Sequence, residues 1–411
     1  MKNELKKILI LLLCILCVYT TTYKAQTNYW TPTSPFNQYI YSFVLDSPGN
    51  LYAGTWDSGV WRTSDDGNNW IQTGLTDSII TSLAINGSEH IFAGAYGRGV
   101  YRSTNQGIDW IRVGLLNLNI NCVAINDSGL IFAGIWEDSL LYRSSDNGNS
   151  WISCSLGIPD TSIAIVSLAF NSFGHIFAGT VTGNVYRSTN NGDNWTPTSL
   201  SCSNAHRILI DDLDYIYVGA YGMYRSTDDG ANWDTINNGA STWEVHSIAI
   251  NSLGFIFRGT YEHVYRSTNY GDKWTDISTG LPNQYVESLV IDPSGLAFAG
   301  TWGNGVFRST YLTTEVENDL SKVPDAYNLS QNYPNPFNPT SKIIYSLPIA
   351  NHVIIKLFDN LGRELQTLVN EYKNEGNYTI SINSSELASG IYYYRMQAGK
   401  FFETKKLVVI K

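Results

Sequence analysis

The chain has 411 residues, of which 43% are hydrophobic and only 15% are charged. Its 35 glycines, 12 tryptophans and 27 tyrosines favour many short strands and tight turns over helices, so we predict an all-β protein with room for two or three domains. The formal net charge of -10 argues against a nucleic-acid-binding protein, because neutralising phosphates requires a basic surface.

The first 25 residues have the pattern of a signal peptide. Lysines are concentrated in residues 2–7, an unbroken apolar run extends from Ile8 to Val18, and small and polar residues lead to Ala25. The apolar run is too short to span a bilayer, so residues 1–25 are predicted to be a signal peptide and not a membrane anchor. The pattern predicts an exported protein with no transmembrane span in the mature chain.

Three cysteines remain beyond the signal peptide, at Cys122, Cys154 and Cys202. An odd number spread over different parts of the chain is no disulfide framework. Cys122 is predicted to be a small buried hydrophobic residue. Whether Cys154 pairs with Cys202 depends on whether their loops meet, because the bond has strict geometric demands.

The central part of the chain consists of repeats that end in tryptophans spaced 38 to 44 residues apart: Trp70, Trp110, Trp151, Trp195, Trp233 and Trp274. Each repeat contains three strand patterns, such as residues 82–86, 91–94 and 99–103, followed by a tight turn into a fourth strand. Four short strands in a repeat of this length are typical of β-propeller blades.

The turn before each tryptophan resembles the Asp-box, Ser-x-Asp-x-Gly-x-x-Trp, of the BNR (bacterial neuraminidase) repeats. Asp or Asn caps turn amides, Gly takes a positive φ and Trp covers the turn. In that family the box lies on the blade periphery, so the resemblance implies a structural role. The matching residues are Asp65, Gly67 and Trp70; Asn105, Gly107 and Trp110; Asp146, Gly148 and Trp151; Asn190, Gly192 and Trp195; Asp228, Gly230 and Trp233; and Asn269, Gly271 and Trp274.

A seventh repeat begins at residues 288–292 and reaches residues 305–310, but it lacks the box and the tryptophan strand. Residues 28–34 closely resemble residues 194–199, which open the outer strand of the fourth repeat. We therefore predict a seven-bladed β-propeller over residues 27–310, in which the N-terminal strand completes the last blade. Closure of this kind removes exposed sheet edges.

The repeat pattern stops after Thr310. Residues 311–328 are predicted to be a polar linker. Residues 329–411 resemble the type A C-terminal sorting domain of the type IX secretion system, in the stretches 331–339, 343–348, 387–395 and 405–411.

The same C-terminal residues show five to seven short alternating strands, which predict a small Ig-like β-sandwich. A carbohydrate-binding or adhesive sandwich is the alternative, since a fold alone does not define a function. The resemblance implies that residues 329–411 have the type IX secretion machinery as their partner. It also implies a secreted or outer cell-surface location.

No metal site or cofactor is predicted, because the six histidines show no ligand spacing. The acidic residues 211–214 align with turns of other repeats, and calcium binding is the alternative interpretation. No pair of carboxylates is distinguished as a glycosidase would require, so no catalytic residue is predicted and enzyme activity stays open. Arginines recur once per blade, which favours blade-to-blade pairing over a sialidase-type cluster: Arg62, Arg102, Arg143, Arg187, Arg225, Arg266 and Arg308.

Aromatic residues recur just after the second strand of the repeats, at Trp56, Tyr96, Trp136, Tyr221, Tyr261 and Trp302. If they face the central funnel, they form a ring suited to stacking on sugars or gripping a peptide, with Trp243 and His246 nearby. The alternative is that they wedge between blades. We interpret the chain as a secreted, non-catalytic glycan- or protein-binding or scaffold module. A sialidase-like or xyloglucanase-like glycoside hydrolase is the alternative hypothesis.

Overall fold

The structure is a computed structural model. It describes residues 28–33, 37–136, 141–159, 164–282, 285–313, 326–332, 335, 337, 340–385 and 387–409. Every helix or strand assigned within these ranges is a β-strand, and a search of them finds no helix long and apolar enough to cross a membrane. The predicted signal peptide and residues 314–325 of the predicted linker lie outside the described residues.

Twenty-eight strands lie within residues 28–313. In chain order they are β1 (Trp30–Pro32), β2 (Ile40–Leu45), β3 (Leu51–Thr55), β4 (Val60–Thr63), β5 (Ile71–Gln72), β6 (Ile80–Ile85), β7 (Ile91–Ala95), β8 (Gly99–Ser103), β9 (Ile111–Gly114), β10 (Ile120–Ile125), β11 (Ile131–Ile135), β12 (Leu141–Ser144), β13 (Ile152–Ser153), β14 (Ile165–Phe170), β15 (Ile176–Thr180), β16 (Asn184–Ser188), β17 (Thr196–Ser201), β18 (Arg207–Ile210), β19 (Ile216–Ala220), β20 (Gly222–Ser226), β21 (Asp234–Thr235), β22 (Ser247–Ile250), β23 (Ile256–Gly259), β24 (Val264–Ser267), β25 (Thr275–Asp276), β26 (Val286–Ile291), β27 (Ala297–Thr301) and β28 (Val306–Ser309).

These strands form seven four-stranded antiparallel sheets, which we call blades 1 to 7. Blades 1 to 6 each consist of four consecutive strands, starting with β2, β6, β10, β14, β18 and β22. The first strand of each blade contacts the first strand of the next, and β26 of blade 7 contacts β2 of blade 1. The sheets therefore close into a ring, and the predicted all-β propeller fold is confirmed.

Blade 7 combines strands from the two ends of the repeat region, in the order β1-β28-β27-β26. Trp30 pairs with Ser309, and Thr31 pairs with Arg308. The Trp30 side chain is fully buried, and its Nε1 donates a hydrogen bond to the carbonyl oxygen of Ile277 in blade 6 (2.8 Å). The N-terminal strand thus completes the last blade, as the similarity between residues 28–34 and 194–199 predicts.

The turns that match the Asp-box share one hydrogen-bond pattern. In blade 3, Gly148 N–H donates to Ser144 Oγ (2.8 Å), and Ser150 N–H donates to Asp146 Oδ1 (2.8 Å). Gly148 has a φ of 84°, which glycine adopts without a Cβ penalty. Blades 1, 2, 4, 5 and 6 repeat both bonds at the corresponding residues. These contacts are local to the turn, which favours a structural role.

Five of the repeated arginines connect neighbouring blades through the same hydrogen bond. Each donates from Nη1 to a backbone carbonyl in the turn of the next blade, and Arg308 of blade 7 donates to Asp66 of blade 1. The other four are Arg102, Arg143, Arg187 and Arg225. A contact repeated around the ring stabilises the architecture, so these side chains are not gathered at one ligand site.

Cys122, Cys154 and Cys202 are free thiols in the structure. Burial raises the pKa of the Cys122 and Cys154 thiols to about 12, so neither is a thiolate at neutral pH. Cys122 lies on the innermost strand of blade 3, as predicted, and is 4% exposed.

Asp211 begins the turn between β18 and β19, at the acidic stretch for which calcium binding was the alternative. Its Oδ1 accepts hydrogen bonds from the backbone N–H groups of Leu213 and Tyr215 (2.9 Å each), and its Oδ2 accepts one from the hydroxyl of Tyr217 (3.1 Å). Asn251 makes the same backbone contacts in blade 6. Asp211 therefore stabilises the turn. Burial raises the pKa of its carboxyl group to about 6.

Replacing Asp211 with asparagine is expected to stabilise the protein at neutral pH. Because the folded-state pKa of Asp211 is raised from the ordinary value of 3.8 to about 6, the protein loses stability as the pH rises through this range. Asp211→Asn removes this cost and should raise the free energy of unfolding at pH 7 by on the order of 2 kcal/mol. The gain should fade as the pH falls below about 4. Urea unfolding of both proteins across this pH range measures it.

Asp212→Asn is the matched control, because Asp212 is adjacent, exposed and changed by the same charge. We expect it to alter the free energy of unfolding by less than about 0.5 kcal/mol at any of these pH values. A stability gain for Asp211→Asn that is equal at pH 4 and pH 7 would show that ionisation of Asp211 is not its cause.

The C-terminal part forms two facing sheets around a shared core. Its strands are β29 (Asn328–Leu329), β30 (Thr340–Leu347), β31 (Asn351–Phe358), β32 (Glu364–Lys373), β33 (Gly376–Asn383), β34 (Gly390–Ala398) and β35 (Phe401–Val409). The sheet orders are β29-β30-β33 and β32-β31-β34-β35. Alternate residues such as Val353, Ile355 and Leu357 are fully buried, the pattern of a sheet with one face on a core. The predicted small β-sandwich is therefore present.

Candidate functional site in the central cavity

A cavity of about 480 Å3 has wall residues from every blade and therefore lies at the centre of the propeller. We call it the central cavity. Each blade supplies one wall residue at the same repeat position. The residue just before it in the chain packs on the second-strand glycine of the preceding blade. From blade 1 to blade 7 the wall residues are Tyr41, Thr81, Asn121, Val166, His206, His246 and Glu287.

The aromatic residues predicted for the funnel fall into two groups. Trp56, Tyr96, Trp136 and Trp302 line the central cavity, where they keep between 42% and 47% of their surface exposed. Val181 of blade 4 lines it as well. Tyr221 and Tyr261 are not part of the wall; their backbones form isolated bridges with Glu244 and Tyr285, respectively.

Further aromatic side chains hold the exposed tryptophans in place. The Tyr39 ring lies edge-on to Trp56 and to Trp302, with centroid distances of 6.1 and 5.8 Å. Tyr285 packs against Trp302 at 4.9 Å and against Tyr261 at 4.8 Å. Edge-on and tilted contacts of this kind are favourable. Trp56 and Trp302 therefore have packing contacts and still expose part of their surface, so packing and binding are compatible here.

Two histidines and two glutamates form a cluster across blades 5, 6 and 7, which we call the His–Glu cluster. His206 Nε2 lies 2.6 Å from Glu244 Oε1, and His246 Nε2 lies 3.6 Å from Glu244 Oε2. On its other side, His246 Nδ1 lies 3.1 Å from Glu287 Oε2. The two imidazole rings are stacked, with a centroid distance of 4.8 Å.

Neighbouring groups hold this cluster in position. Asn204 Nδ2 donates to Glu244 Oε1 (2.7 Å), and Arg207 Nε donates to the carbonyl oxygen of His246 (3.1 Å). His246 is only 8% exposed, yet neither of its ring nitrogens has an aligned hydrogen-bond partner. Buried polar atoms without such partners are uncommon in folded proteins and point to a role beyond packing.

The electrostatics of the cluster favour a neutral His206 and an ionised Glu287. Burial and the neighbouring His246 lower the pKa of His206, although Glu244 opposes them. Burial raises the pKa of Glu287, but the contact with His246 and the electrostatic influence of Arg207 and His206 together outweigh it and lower that pKa. Glu287 is therefore ionised at neutral pH.

Sequence reasoning identified the aromatic side chains but missed His206, Glu244 and Glu287. Repeats direct attention to residues that recur, whereas the residues of the His–Glu cluster differ from their counterparts in other blades. The counterparts of His246 are tyrosine, threonine, asparagine, valine, histidine and glutamate. This repeat position is variable and mostly polar, and that is the signal that could have found His206 and Glu287. Glu244 lies outside the position, two residues before His246.

Comparisons with known proteins identify the C-terminal part of the chain. A family model described as "Secretion system C-terminal sorting domain" matches residues 331–411. This sorting domain indicates export by the type IX system and a secreted or cell-surface location, and it implies interaction with the type IX secretion machinery. The predicted location is thereby confirmed. No curated protein matches the chain in sequence.

Three solved structures with similar folds belong to proteins of different kinds. YCF48 from Cyanidioschyzon merolae is 15% identical, with a TM-score of 0.56 over 68% of this chain and 98% of that one. PorZ, a surface component of the type IX secretion system of Porphyromonas gingivalis, is 15% identical, with a TM-score of 0.53 over 91% of this chain and 60% of PorZ. The GH74 xyloglucanase from Xanthomonas campestris is 16% identical, with a TM-score of 0.57 over 84% of this chain and 63% of the enzyme. At these identities the similarity shows the propeller fold alone.

Proposed function

We propose that this protein is a secreted or cell-surface seven-bladed propeller of the Asp-box type whose central cavity binds a glycan without cleaving it. In this proposal residues 1–25 are the signal peptide, residues 27–310 the propeller, residues 311–328 a linker and residues 329–411 the sorting domain. The observation that carries it is the set of partly exposed aromatic side chains on the cavity wall: Trp56, Tyr96, Trp136 and Trp302.

The composition of the cavity wall suits a sugar. Pyranose rings present flat C–H faces that pack on exposed indole and phenol rings, and hydroxyl groups at their edges that need polar partners. Thr81, Asn121 and Asn204 supply such partners between the aromatic side chains. A volume of about 480 Å3 falls within the usual range for small-molecule sites.

Glycoside hydrolysis is the second candidate, and the glutamates of the His–Glu cluster favour it. Glycoside cleavage requires one carboxyl group that is protonated at neutral pH and donates its proton to the leaving group. Glu287, the carboxylate on the cavity wall, has a lowered pKa and is ill suited to that role. Glu244 is occupied by His206 and Asn204. Binding without cleavage is therefore the better supported function.

The similar folds do not decide between ligands. The proteins with similar folds include a xyloglucanase, a component of the type IX secretion system and YCF48 bound to the D1 peptide, so a glycan-acting enzyme and a peptide-binding protein share this architecture. The choice of a glycan depends on the exposed rings in the cavity of this chain, since folds host many functions.

A glycan array probed with the full-length protein tests the proposal. We expect binding to a restricted set of oligosaccharides, and we expect Trp56→Ala combined with Trp302→Ala to lower affinity at least about tenfold, because central aromatic residues dominate binding energies. Trp243→Ala is the matched control. Trp243 is 59% exposed but does not line the cavity, so its loss should leave binding unchanged.

Absence of binding to any glycan, or equal losses for the double variant and Trp243→Ala, would contradict glycan recognition by the central cavity. Each glycan that binds should also be incubated with the protein and its products examined by mass spectrometry. Cleavage that is abolished by Glu287→Gln would replace the binding proposal with glycoside hydrolysis.

A further inference from the structure

We propose that His206, Glu244 and His246 form a binding site for a divalent transition-metal ion of the zinc type in the wall of the central cavity. One ligand atom from each residue, all within 4.8 Å of one another, converges between blades 5 and 6. This inference is independent of the proposed glycan binding, because it concerns a different set of side chains and has its own measurement.

The donor set has the chemistry of a zinc site. Two imidazoles and one carboxylate are ligands that zinc prefers, and three protein ligands leave a fourth position for water or for another ligand. Zinc–ligand distances are roughly 2.0–2.2 Å, so donor atoms within 4.8 Å of one another are near the separation that one shared ion requires. The hydrogen bond between His206 Nε2 and Glu244 Oε1 (2.6 Å) already draws two of the donors together.

His246 is a buried imidazole with unsatisfied ring nitrogens. Its side chain is more than nine-tenths buried, and neither ring nitrogen has an aligned hydrogen-bond partner. Nε2 faces Glu244 at 3.6 Å, a distance too long for a hydrogen bond. A metal ion between His246 and Glu244 would satisfy this nitrogen.

The groups around the three donors are arranged as in a metal site. Metal-binding histidines usually donate their second ring N–H to a carboxylate, which fixes the tautomer and the ring orientation. Glu287 Oε2 lies 3.1 Å from His246 Nδ1, on the side away from Glu244, and so occupies that place. Asn204 donates to Glu244 Oε1 and restrains the carboxylate in the same way.

The location determines what such an ion could reach. His206 and His246 both line the central cavity, so an ion held between them would lie at the wall that also carries the exposed aromatic side chains. An oxygen atom of a ligand in the cavity could complete the coordination. The site would thereby add a strong, directional contact on the side of the cavity formed by blades 5 and 6.

The test is a calorimetric titration with Zn2+ of the tag-free full-length protein after removal of bound metals with a chelator. We expect one Zn2+ ion per chain. Co2+ bound at the same site should give a visible absorption spectrum typical of nitrogen and oxygen ligands, which reports coordination directly.

Three variants separate the site from general loss of structure. His246→Asn and Glu244→Gln each remove a ligand, and Glu244→Gln retains an oxygen that can accept from Asn204. Each should weaken Zn2+ binding more than about 100-fold and abolish the Co2+ spectrum. Glu287→Gln removes only the supporting carboxylate and should weaken binding about 10- to 100-fold with the spectrum retained.

His175→Asn is the matched control, because His175 also contacts a carboxylate, Asp229 at 2.9 Å, but lies outside the central cavity. It should bind Zn2+ as the unaltered protein does. The proposal is overturned if the protein binds no stoichiometric Zn2+, or if Glu244→Gln in a folded protein binds Zn2+ with unchanged affinity and an unchanged Co2+ spectrum.

Discussion

Replacing Trp30 with alanine is expected to lower the free energy of unfolding by about 3–5 kcal/mol, the usual cost of truncating a fully buried large aromatic side chain. The substitution also removes the hydrogen bond from Nε1 to Ile277 of blade 6. Because β1 joins blade 7 only through non-covalent contacts with β28, the weakened strand should detach and open the ring. Chemical unfolding and limited proteolysis measure the two effects.

Trp195→Ala is the matched control for ring opening. Trp195 in blade 4 is 3% exposed and donates from Nε1 to the carbonyl oxygen of Cys154 (2.7 Å), so it makes the same contact with the preceding blade. Unlike β1, the strand that follows Trp195, β17, is joined through the chain to the other strands of its own blade. We expect a similar loss of stability but no early release of the N-terminal segment by protease. Equal protease resistance of residues 28–33 in both variants would contradict the closure role of β1.

Replacing Gly300 with alanine is expected to destabilise the propeller by about 3 kcal/mol, at the upper end of the cost of overpacking. A Cβ at this position would lie 2.4 Å from Ser288 Oγ and 2.6 Å from Cγ2 of Ile40, in the first strand of blade 1. The substitution thus forces apart the junction between the last blade and the first. Thermal unfolding of the propeller should show a lower midpoint temperature.

Gly87→Ala provides the comparison. A Cβ at Gly87 would meet no atom within 4 Å, and this residue has no positive φ that disfavours alanine. We expect the stability of that variant to be unchanged or raised by up to about 1 kcal/mol, because alanine restricts the unfolded chain. If the two variants were equally stable, close packing at the second-strand glycine would not be a constraint on the ring.

The aromatic residues and the His–Glu cluster show how far the sequence could predict the candidate site. Trp56 and Trp302 were predicted because they recur at one repeat position, and the structure places both on the cavity wall. Recurrence also suggested Tyr221 and Tyr261, which are not part of the wall. Residues at one repeat position therefore do not all reach the cavity, because the loops that carry them differ from blade to blade.

The sequence by itself determined the repeat, the four strands of each blade, the closure by residues 28–34 and the sorting domain, because these depend on local patterns and on similarity between segments. Only the tertiary structure decided that His206, Glu244 and Glu287 meet. They belong to three blades and are as much as 81 positions apart in the sequence. The ring directs one residue from the inner edge of each blade, here His206, His246 and Glu287, to a common centre. Glu244 joins them from the loop before β22, a contact that repeat spacing alone does not reveal.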